Sequence, residues 1–209
     1  VIESALDIML EELEPNYNVA PTQNVLSVVA GSEERRAGFM RWGLIPSWAK
    51  DKKIGSKMIN ARSETADQMP SFKPLLSRRR CLIVADSFYE WDQKGEEKQP
   101  YRFQLKNEPI ITFAGLWDRW QDEENEIISC TILTTDANQD MEKFHHRMPV
   151  ILDKDKREQW LDRKLTDHAS LKSLLTPLPE GSITYYPISK KVNSPKNNNP
   201  DLLTPIENQ

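Results

Sequence analysis

Glu90 is the first residue whose type and surroundings indicate chemistry, because its carboxyl group lies within a run of aromatic residues. It stands between Tyr89 and Trp91 in the segment SFYEW (87–91). A carboxyl group that is partly buried among rings loses hydration, which raises its pKa and suits it to general acid–base catalysis. The alternative is a glutamate at the end of a strand that points into water, as most glutamates do.

Two adjacent histidines, His145 and His146, form the second candidate. Histidine is the side chain that most readily exchanges protons near pH 7. Neighbouring residues of an extended segment face opposite ways, so we expect only one of the two to point into a site. Arg147 follows them, and its planar guanidinium suits a phosphate. The alternative is a pair of hydrated loop histidines without a catalytic role.

Asn60 and Arg62 stand two residues apart and would share a face in an extended segment. Asparagine offers both a donor and an acceptor, and arginine offers a fork of donors for a phosphate. Alternatively, the two begin a surface helix predicted over 61–69. Trp48, with Lys50 and Lys53 nearby, is typical of a loop that stacks on bases, unless its ring folds back onto the core.

The arginines at positions 78, 79 and 80 are the most basic tripeptide of an otherwise acidic chain. They indicate either a phosphate-binding patch or the hydrated end of a short helix. Cys81 and Cys130 lie in apolar segments, so we expect both to be buried and inert.

Composition excludes several classes of protein. The 209 residues are 38% hydrophobic and 29% charged, which indicates a folded core rather than disorder. Two cysteines and three histidines exclude a disulfide scaffold and a four-cysteine zinc site, and we expect no metal and no cofactor. No apolar run approaches the length of a membrane span, and the N-terminus does not read as a signal peptide. We therefore expect a cytoplasmic protein with no membrane partner. The net charge of −4 excludes a broad basic DNA surface but not a local one.

The elements that must position these residues are mostly strands. An amphipathic helix is predicted over 4–14, with Ser4 as its N-cap and Pro15 as its end, and Asp153 caps a later helix. Strands outnumber helices, and short turns join most of them. This pattern predicts one domain over 1–209 with an α+β fold, in which short helices flank a mostly antiparallel, barrel-like β core. The predicted strands are 25–30, 37–42, one beginning at 81, 101–106, 110–120, 127–135 and 183–188.

Several segments, taken together and in order, resemble the SOS-response-associated peptidase (SRAP) family. The resemblance runs from about residue 17 to the C-terminus and agrees with the α+β barrel expected above. The matching segments are YNVAPTQ (17–23), RWGLIPSWAKD (41–51), INARSET (59–65), RRCLIVADSFYEW (79–91), TFAGLWDRW (112–120), SCTILTTDAN (129–138), HHRMPVIL (145–152) and VNSPKN (192–197).

The resemblance implies an activity on damaged DNA. Members of the family remove their initiator methionine and expose an N-terminal cysteine, which links covalently to abasic sites in single-stranded DNA. The α-amine and the thiol of that cysteine would form a thiazolidine with the sugar aldehyde. The resemblance also implies a monomer that works in the cytoplasm at the nucleoid.

The matching motifs imply roles for individual residues. Glu90 would position or deprotonate the amine and assist opening of the sugar ring. His145, two residues before Arg147, would be the proton shuttle in place of His146. Asn60 would orient the N-terminus and the lesion. The implied DNA contacts are Arg62 and Arg147 on phosphates, and Pro21 and Trp48 near the lesion.

The chain departs from the family at its start. The family begins Met-Cys-Gly-Arg-Phe, whereas this chain begins with Val1. We therefore expect the N-terminal segment and its nucleophile to be absent from the chain as given. Two other functions stay open: a non-catalytic single-stranded DNA-binding module, and a thiol peptidase that acts on other proteins. The peptidase requires a second nucleophile, which the sequence does not supply.

Overall fold

The fold is a β barrel with a smaller sheet beside it, and the computed structural model describes it over residues 1–207. In that range the strands are β1 (Asn24–Ala30), β2 (Arg35–Trp42), β3 (Asn60–Arg62), β4 (Arg80–Ala85), β5 (Phe88–Asp92), β6 (Gln99–Leu105), β7 (Ile111–Gln121), β8 (Glu126–Asp136), β9 (Arg147–Pro149) and β10 (Ile183–Pro187). The helices are α1 (Ile2–Leu6), α2 (Lys73–Leu76), α3 (Gln139–Glu142), α4 (Lys154–Trp160) and α5 (His168–Lys172). Short 3₁₀ helices span Lys52–Lys57, Lys190–Asn193 and Pro200–Leu203.

Five strands close the barrel in the order β2-β1-β4-β7-β8, and β8 returns to β2. Four of the five pairings are antiparallel; the closing pair is parallel and sets Trp42 opposite Cys130. The end of β8 continues beyond the barrel and pairs with β3 on one side and β9 on the other. The predicted barrel-like, mostly antiparallel α+β fold is thereby confirmed.

The remaining strands form a separate antiparallel sheet, in the order β10-β6-β5. Phe88 of β5 joins this sheet to the barrel, because its ring meets Phe113 of β7 edge-on, with 6.0 Å between centroids. The segment 81–91 therefore contributes one strand to each sheet, with the bend at residues 86 and 87.

Two cores lie on opposite faces of the barrel wall, because successive residues of a strand point to opposite faces. Leu82 and Val84 pack with Trp160 and with helix residues such as Leu75, so this core lies between the wall and the helices. Cys81 and Ile83 pack almost entirely with other strand residues, which places them inside the barrel.

Two of the predicted helices are wrong in extent or in kind. A helix is predicted over 4–14, but the helix observed there ends at Leu6. Asp7 adopts a left-handed conformation, and its backbone N–H donates a hydrogen bond to the carbonyl of Glu3. Val1, and not Ser4, is its N-cap. Residues 61–69 form no helix, because Asn60–Arg62 pairs with the end of β8 and turns follow. Pairing with a neighbouring strand here overrides helix-forming composition.

Candidate functional site

Glu90 lies at the centre of β5, where it faces an aromatic cluster. Its partner across the ladder is Tyr101 of β6, and opposed residues of an antiparallel pair project from the same face. The ring of Tyr101 meets Phe144 edge-on at 5.0 Å between centroids. Phe103 and Tyr185, on the same face, complete the cluster around Phe144. Glu90 is therefore half-buried beside rings, as the first of its two interpretations requires.

The surroundings of Glu90 change how readily its carboxyl group ionises. Burial raises the pKa of Glu90 above its ordinary value of 4.5, because the charged form loses hydration. The charge of His145 and the N–H of Trp91 oppose this shift and lower the pKa in part. The net effect is a carboxyl group that holds its proton more tightly than a hydrated one, with a histidine as its electrostatic neighbour.

His145 follows Phe144, a member of the aromatic cluster that Glu90 faces, and its charge acts on Glu90. Its backbone N–H bonds the carbonyl of Met141, and its ring Nδ1 accepts the backbone N–H of Arg147 at 3.0 Å. A nitrogen that accepts a hydrogen bond carries no proton, so the neutral ring bears its proton on Nε2. His145 thus presents Nε2–H as a hydrogen-bond donor.

His146 lies beside His145 instead of facing away from it. The two rings stack, with 4.5 Å between centroids and 21° between planes. The expectation of opposite directions is wrong, because Lys143 and Phe144 form a turn and the segment is not extended. His145 is half-buried whereas His146 is exposed, which agrees with the preference for His145.

Arg147 is held by carboxylates. Its side chain is 8% exposed and forms a two-pronged bond with Glu64, at 2.9 and 2.8 Å, and a third bond with Asp136 at 2.9 Å. Thr134 accepts two further bonds from the same guanidinium. A phosphate at Arg147 would therefore compete with Glu64 and Asp136. Sequence reasoning missed both acids, although Glu64 stands two residues after Arg62 in the same motif.

Asn60 and Arg62 lie on β3 and, two residues apart, project from one face as expected for an extended segment. They stand opposite Ile132 and Thr134 of β8, beside the strand end that carries Asp136. Both side chains are exposed, and neither makes a hydrogen bond or an ion pair within residues 1–207. The pKa of Glu64 is lowered chiefly by its hydrogen bond with Arg147, and the charge of Arg62 adds a smaller contribution. The guanidinium of Arg62 is available to an incoming anion.

Trp48 lies on an exposed loop and is 59% exposed, so its ring does not fold back onto the core. The loop is fixed beneath it: the N–H of Ser47 bonds Asp118 at 2.9 Å, and Trp120 Nε1 bonds the carbonyl of Ala49 at 2.8 Å. The ring is therefore exposed to solvent on a loop that hydrogen bonds hold in place. Pro21 is exposed as well, one residue before Thr22, which has a positive φ of 77°.

A different part of the chain supports β5 from behind. The hydroxyl of Tyr89 bonds the carbonyl of Tyr17 at 2.6 Å, and Trp91 Nε1 bonds Asn193 at 2.7 Å. The buried amide of Asn18 reaches three carbonyls of the segment 192–197, each at 3.0 Å. These bonds connect residues 17–18 and 192–197 to the face of β5 opposite Glu90.

The two cysteines are buried, as expected from their apolar neighbours. Burial raises the pKa of Cys130 to about 12 and that of Cys81 well above its ordinary value of 9.0. A thiol in this state supplies almost no thiolate at neutral pH.

Residues 1–207 lack two features that would indicate other functions. No cluster of three or more His, Cys, Asp or Glu side chains there has the arrangement of a metal site. No helix there combines the length and apolar character that crossing a bilayer requires.

Comparisons with known proteins agree with the fold and with the motifs. Residues 3–195 match the family model described as SOS response associated peptidase (SRAP). The chain is 49% identical over 194 residues to a Bacillus subtilis protein named "Abasic site processing protein YoqW". The match covers 92% of this chain and 87% of that protein. It is 37% identical to "Abasic site processing protein HMCES" of Gallus gallus, over 92% of this chain and 67% of that protein.

Solved structures give the same result for the fold. A protein of Bacteroides thetaiotaomicron superposes with a TM-score of 0.80 at 30% identity, over 89% of this chain and 82% of that chain. A protein of Bordetella bronchiseptica superposes with a TM-score of 0.73 at 29% identity, over 85% of this chain and 90% of that chain. With the family model matched over nearly the whole length, the chain belongs to the SOS response associated peptidase (SRAP) family.

Proposed function

We propose that this protein processes abasic sites in single-stranded DNA by forming a covalent bond with the opened sugar. The observation that carries the proposal is Glu90, a half-buried carboxyl group with a raised pKa beside His145. It lies in a chain that is 49% identical to a relative named for abasic-site processing. The remaining steps draw on the chemistry of that lesion.

The proposed nucleophile is an N-terminal cysteine, exposed when the protein removes its own initiator methionine. The α-amine of that cysteine adds to the aldehyde carbon of the lesion, and loss of one water gives an imine. The sulfur then bonds to the imine carbon, and the thiol proton moves to the nitrogen, which closes a thiazolidine. No oxidant or cofactor enters this balance.

Glu90 is proposed to carry the proton transfers, and His145 to act as a hydrogen-bond donor. Glu90 takes a proton from the ammonium group and returns it to the departing hydroxyl, which suits a pKa nearer neutrality. His145 donates a hydrogen bond from Nε2–H to the sugar oxygen as the ring opens, because Nδ1 is occupied by the Arg147 N–H. Asn60 is proposed to orient the amine and the lesion from its exposed position on β3.

The DNA strand is proposed to run between two exposed groups. Arg62, which has no anionic partner in residues 1–207, binds a phosphate, and Trp48 stacks on a base. The Trp48 loop is fixed to Asp118, opposite Ser129 of β8, whereas Arg147 stands opposite Asp136 at the other end. The seven steps from Ser129 to Asp136 span roughly 23 Å, which is the length of several nucleotides. Pro21 is proposed to contact the DNA near the lesion.

The experiment compares two proteins on a denaturing gel: the complete natural protein, with any residues that precede Val1, and the chain that begins at Val1. Each is incubated with single-stranded DNA that carries one abasic site, with undamaged DNA as the control. A crosslink by the complete protein alone supports the proposal. Absence of a crosslink from both, with DNA still retained on a native gel, would replace it by a non-catalytic DNA-binding module.

A thiol peptidase that acts on other proteins is less well supported. Cys81 and Cys130 are buried, and burial raises the pKa of both thiols. Such thiols make poor nucleophiles. A crosslink by the chain that begins at Val1 would instead require an internal nucleophile, and Cys81 would be the first residue to replace.

A further inference from the structure

A basic cavity lies outside the barrel, where the ends of α2 and α4 meet the start of β4. Its volume is about 300 Å³, which is at the small end of the range for ligand pockets. None of its lining residues belongs to the candidate site. The cavity is lined by three arginines, two hydroxyl side chains and one tryptophan: Arg78, Arg80, Arg163, Ser77, Thr166 and Trp160.

Arg80 is a buried cation that forms no ion pair within residues 1–207. The residue is 8% exposed, and its guanidinium bonds three backbone carbonyls, those of Trp160 at 2.7 Å, Leu76 at 3.1 Å and Asp162 at 2.6 Å. Burial lowers the pKa of Arg80, and the charge of Asp162 opposes this shift from beyond ion-pair distance. The carboxylate of Asp162 accepts the N–H of Lys164. Buried charges in proteins are normally paired, so a positive charge that lines a cavity calls for an anion.

The other two arginines of the cavity are placed to complete an anion site. Arg78 and Arg163 are both exposed, and neither forms an ion pair in the part of the chain described. Arg78 donates to the carbonyl of Pro74 through Nε, which leaves its terminal nitrogens to other partners. The hydroxyls of Ser77 and Thr166 add neutral donors. In a chain of net charge −4, three arginines with no carboxylate among the lining residues form a local positive field.

We propose that this cavity binds a phosphate group, separately from the candidate site on β5 and β8. Arginine forks match the oxygens of a phosphate, and three positive charges exceed what a single carboxylate ligand would neutralise. Trp160 is fully buried and offers no exposed ring for a base, so recognition is of the phosphate and not of a nucleobase. The phosphate belongs either to a small phosphorylated metabolite or to a nucleic-acid backbone.

The competing structural explanation is that Arg80 only stabilises the ends of two helices. Its carbonyl partners belong to the last turns of α2 and α4 and to the residues just after, where a cation is favourable. That explanation assigns nothing to Arg78 and Arg163. Those two residues therefore separate the explanations, and because both are exposed, replacing them leaves the fold intact.

The experiment measures binding of orthophosphate and of AMP by isothermal titration calorimetry, at constant ionic strength set with chloride. Arg78→Gln and Arg163→Gln are compared with wild type and with Arg36→Gln, an exposed arginine outside this cavity. We expect wild type and Arg36→Gln to bind both probes, and each cavity variant to raise the Kd about tenfold, the loss of one charged hydrogen bond. The same four proteins are then titrated with a short undamaged single-stranded oligonucleotide.

The outcomes distinguish the two sources of phosphate. If the cavity variants weaken orthophosphate and AMP but leave DNA affinity at the Arg36→Gln level, the ligand is a small phosphate compound. If they also weaken DNA binding more than Arg36→Gln does, the phosphate belongs to the DNA backbone. If neither probe binds better than chloride, and DNA affinity matches the control, the proposal is overturned and Arg80 is only a support for the helices.

Discussion

The backbone N–H of Arg147 donates a hydrogen bond to Nδ1 of His145, at 3.0 Å. The same residue anchors its guanidinium on Glu64 and Asp136, so the strand end that holds these acids also sets the tautomer of the histidine. Because Nδ1 accepts a hydrogen bond, Nε2–H is the ring group left to donate one. His145 therefore offers a hydrogen-bond donor, and Glu90 is the candidate for proton transfer.

The first prediction separates the two histidines. His145→Ala should slow crosslinking by about 10²-fold or more, the usual cost of losing a positioned hydrogen-bond donor to a developing negative charge. His146→Ala, in which an exposed ring is removed, should stay within about threefold of wild type. Single-turnover rates on abasic single-stranded DNA measure both. Loss of activity in His146→Ala alone would mean that the wrong histidine has been assigned.

Replacement of Glu90 tests the acid–base role directly. Glu90→Gln keeps the shape of the side chain but neither donates nor accepts a proton in the reaction, so we expect crosslinking to slow by about 10²–10⁴-fold. DNA affinity, measured by fluorescence anisotropy on undamaged DNA, should be unchanged because the residue makes no phosphate contact. Glu96→Gln, on the exposed loop between β5 and β6, is the matched control. Crosslinking by Glu90→Gln at the wild-type rate would remove the residue from the mechanism.

The same substitution should change how stability depends on pH. Burial raises the pKa of Glu90 above 4.5, so the folded protein binds this proton more tightly than the unfolded chain. The stabilising contribution is complete below the unfolded pKa and is lost as pH rises through the folded pKa.

Glu90→Gln has no charge to bury, so the Tm of the variant should gain on that of wild type as the pH rises above the ordinary pKa of 4.5. Thermal unfolding at a series of pH values measures the margin between the two Tm values. A margin that is constant across the series would show that ionisation of Glu90 costs nothing in the folded state.

The sequence supports prediction of the barrel because its strands carry local signals. β1 and β2 are joined by the turn at Gly31 and Ser32, and β6 shows the alternation of a half-buried strand. The region 61–69 fails for a physical reason: its composition suits a helix, but Asn60–Arg62 pairs with β8, which lies about seventy residues later. Local propensity cannot report a pairing with so distant a partner.

The sequence indicates the candidate residues of the site but not their long-range partners. Glu90 and His145 are identified by residue type and by neighbours in the chain. The partners of Arg147 are not, because Glu64 precedes it by 83 residues and only the fold brings them together. The stacking of His145 on His146 likewise depends on the turn after α3, which the apolar pattern does not indicate.

Arg62 and Arg147 should differ in what their loss costs. Arg62→Ala removes an exposed guanidinium that has no ion-pair partner in residues 1–207, so it should weaken DNA binding and reduce the salt dependence of log K by about 0.7, with Tm unchanged. Arg147→Ala breaks a buried network, so it should lower the free energy of unfolding by about 2 kcal/mol.

Salt titrations of DNA affinity and urea unfolding measure the two effects. If Arg147 binds phosphate as the family motif implies, Arg147→Ala will also reduce the salt slope. An unchanged slope in Arg147→Ala would confine the residue to holding the strand end and His145. An unchanged slope in Arg62→Ala would instead remove Arg62 from the DNA contacts.

Trp48 provides the test of the DNA path at the other end of β8. Its ring is 59% exposed on a loop that Asp118 and Trp120 hold in place, so Trp48→Ala removes the ring without disturbing its support. Stacking of a base on an aromatic ring contributes about 1–3 kcal/mol, so affinity should fall by about 5- to 150-fold.

Phe39→Ala is the control, since Phe39 is 56% exposed on β2 and has no assigned contact. Anisotropy titrations with oligonucleotides of increasing length should show the loss only when the DNA is long enough to reach from the lesion to Trp48. A loss that is equal for the shortest DNA would place the base-stacking ring beside the lesion and contradict the separation along β8.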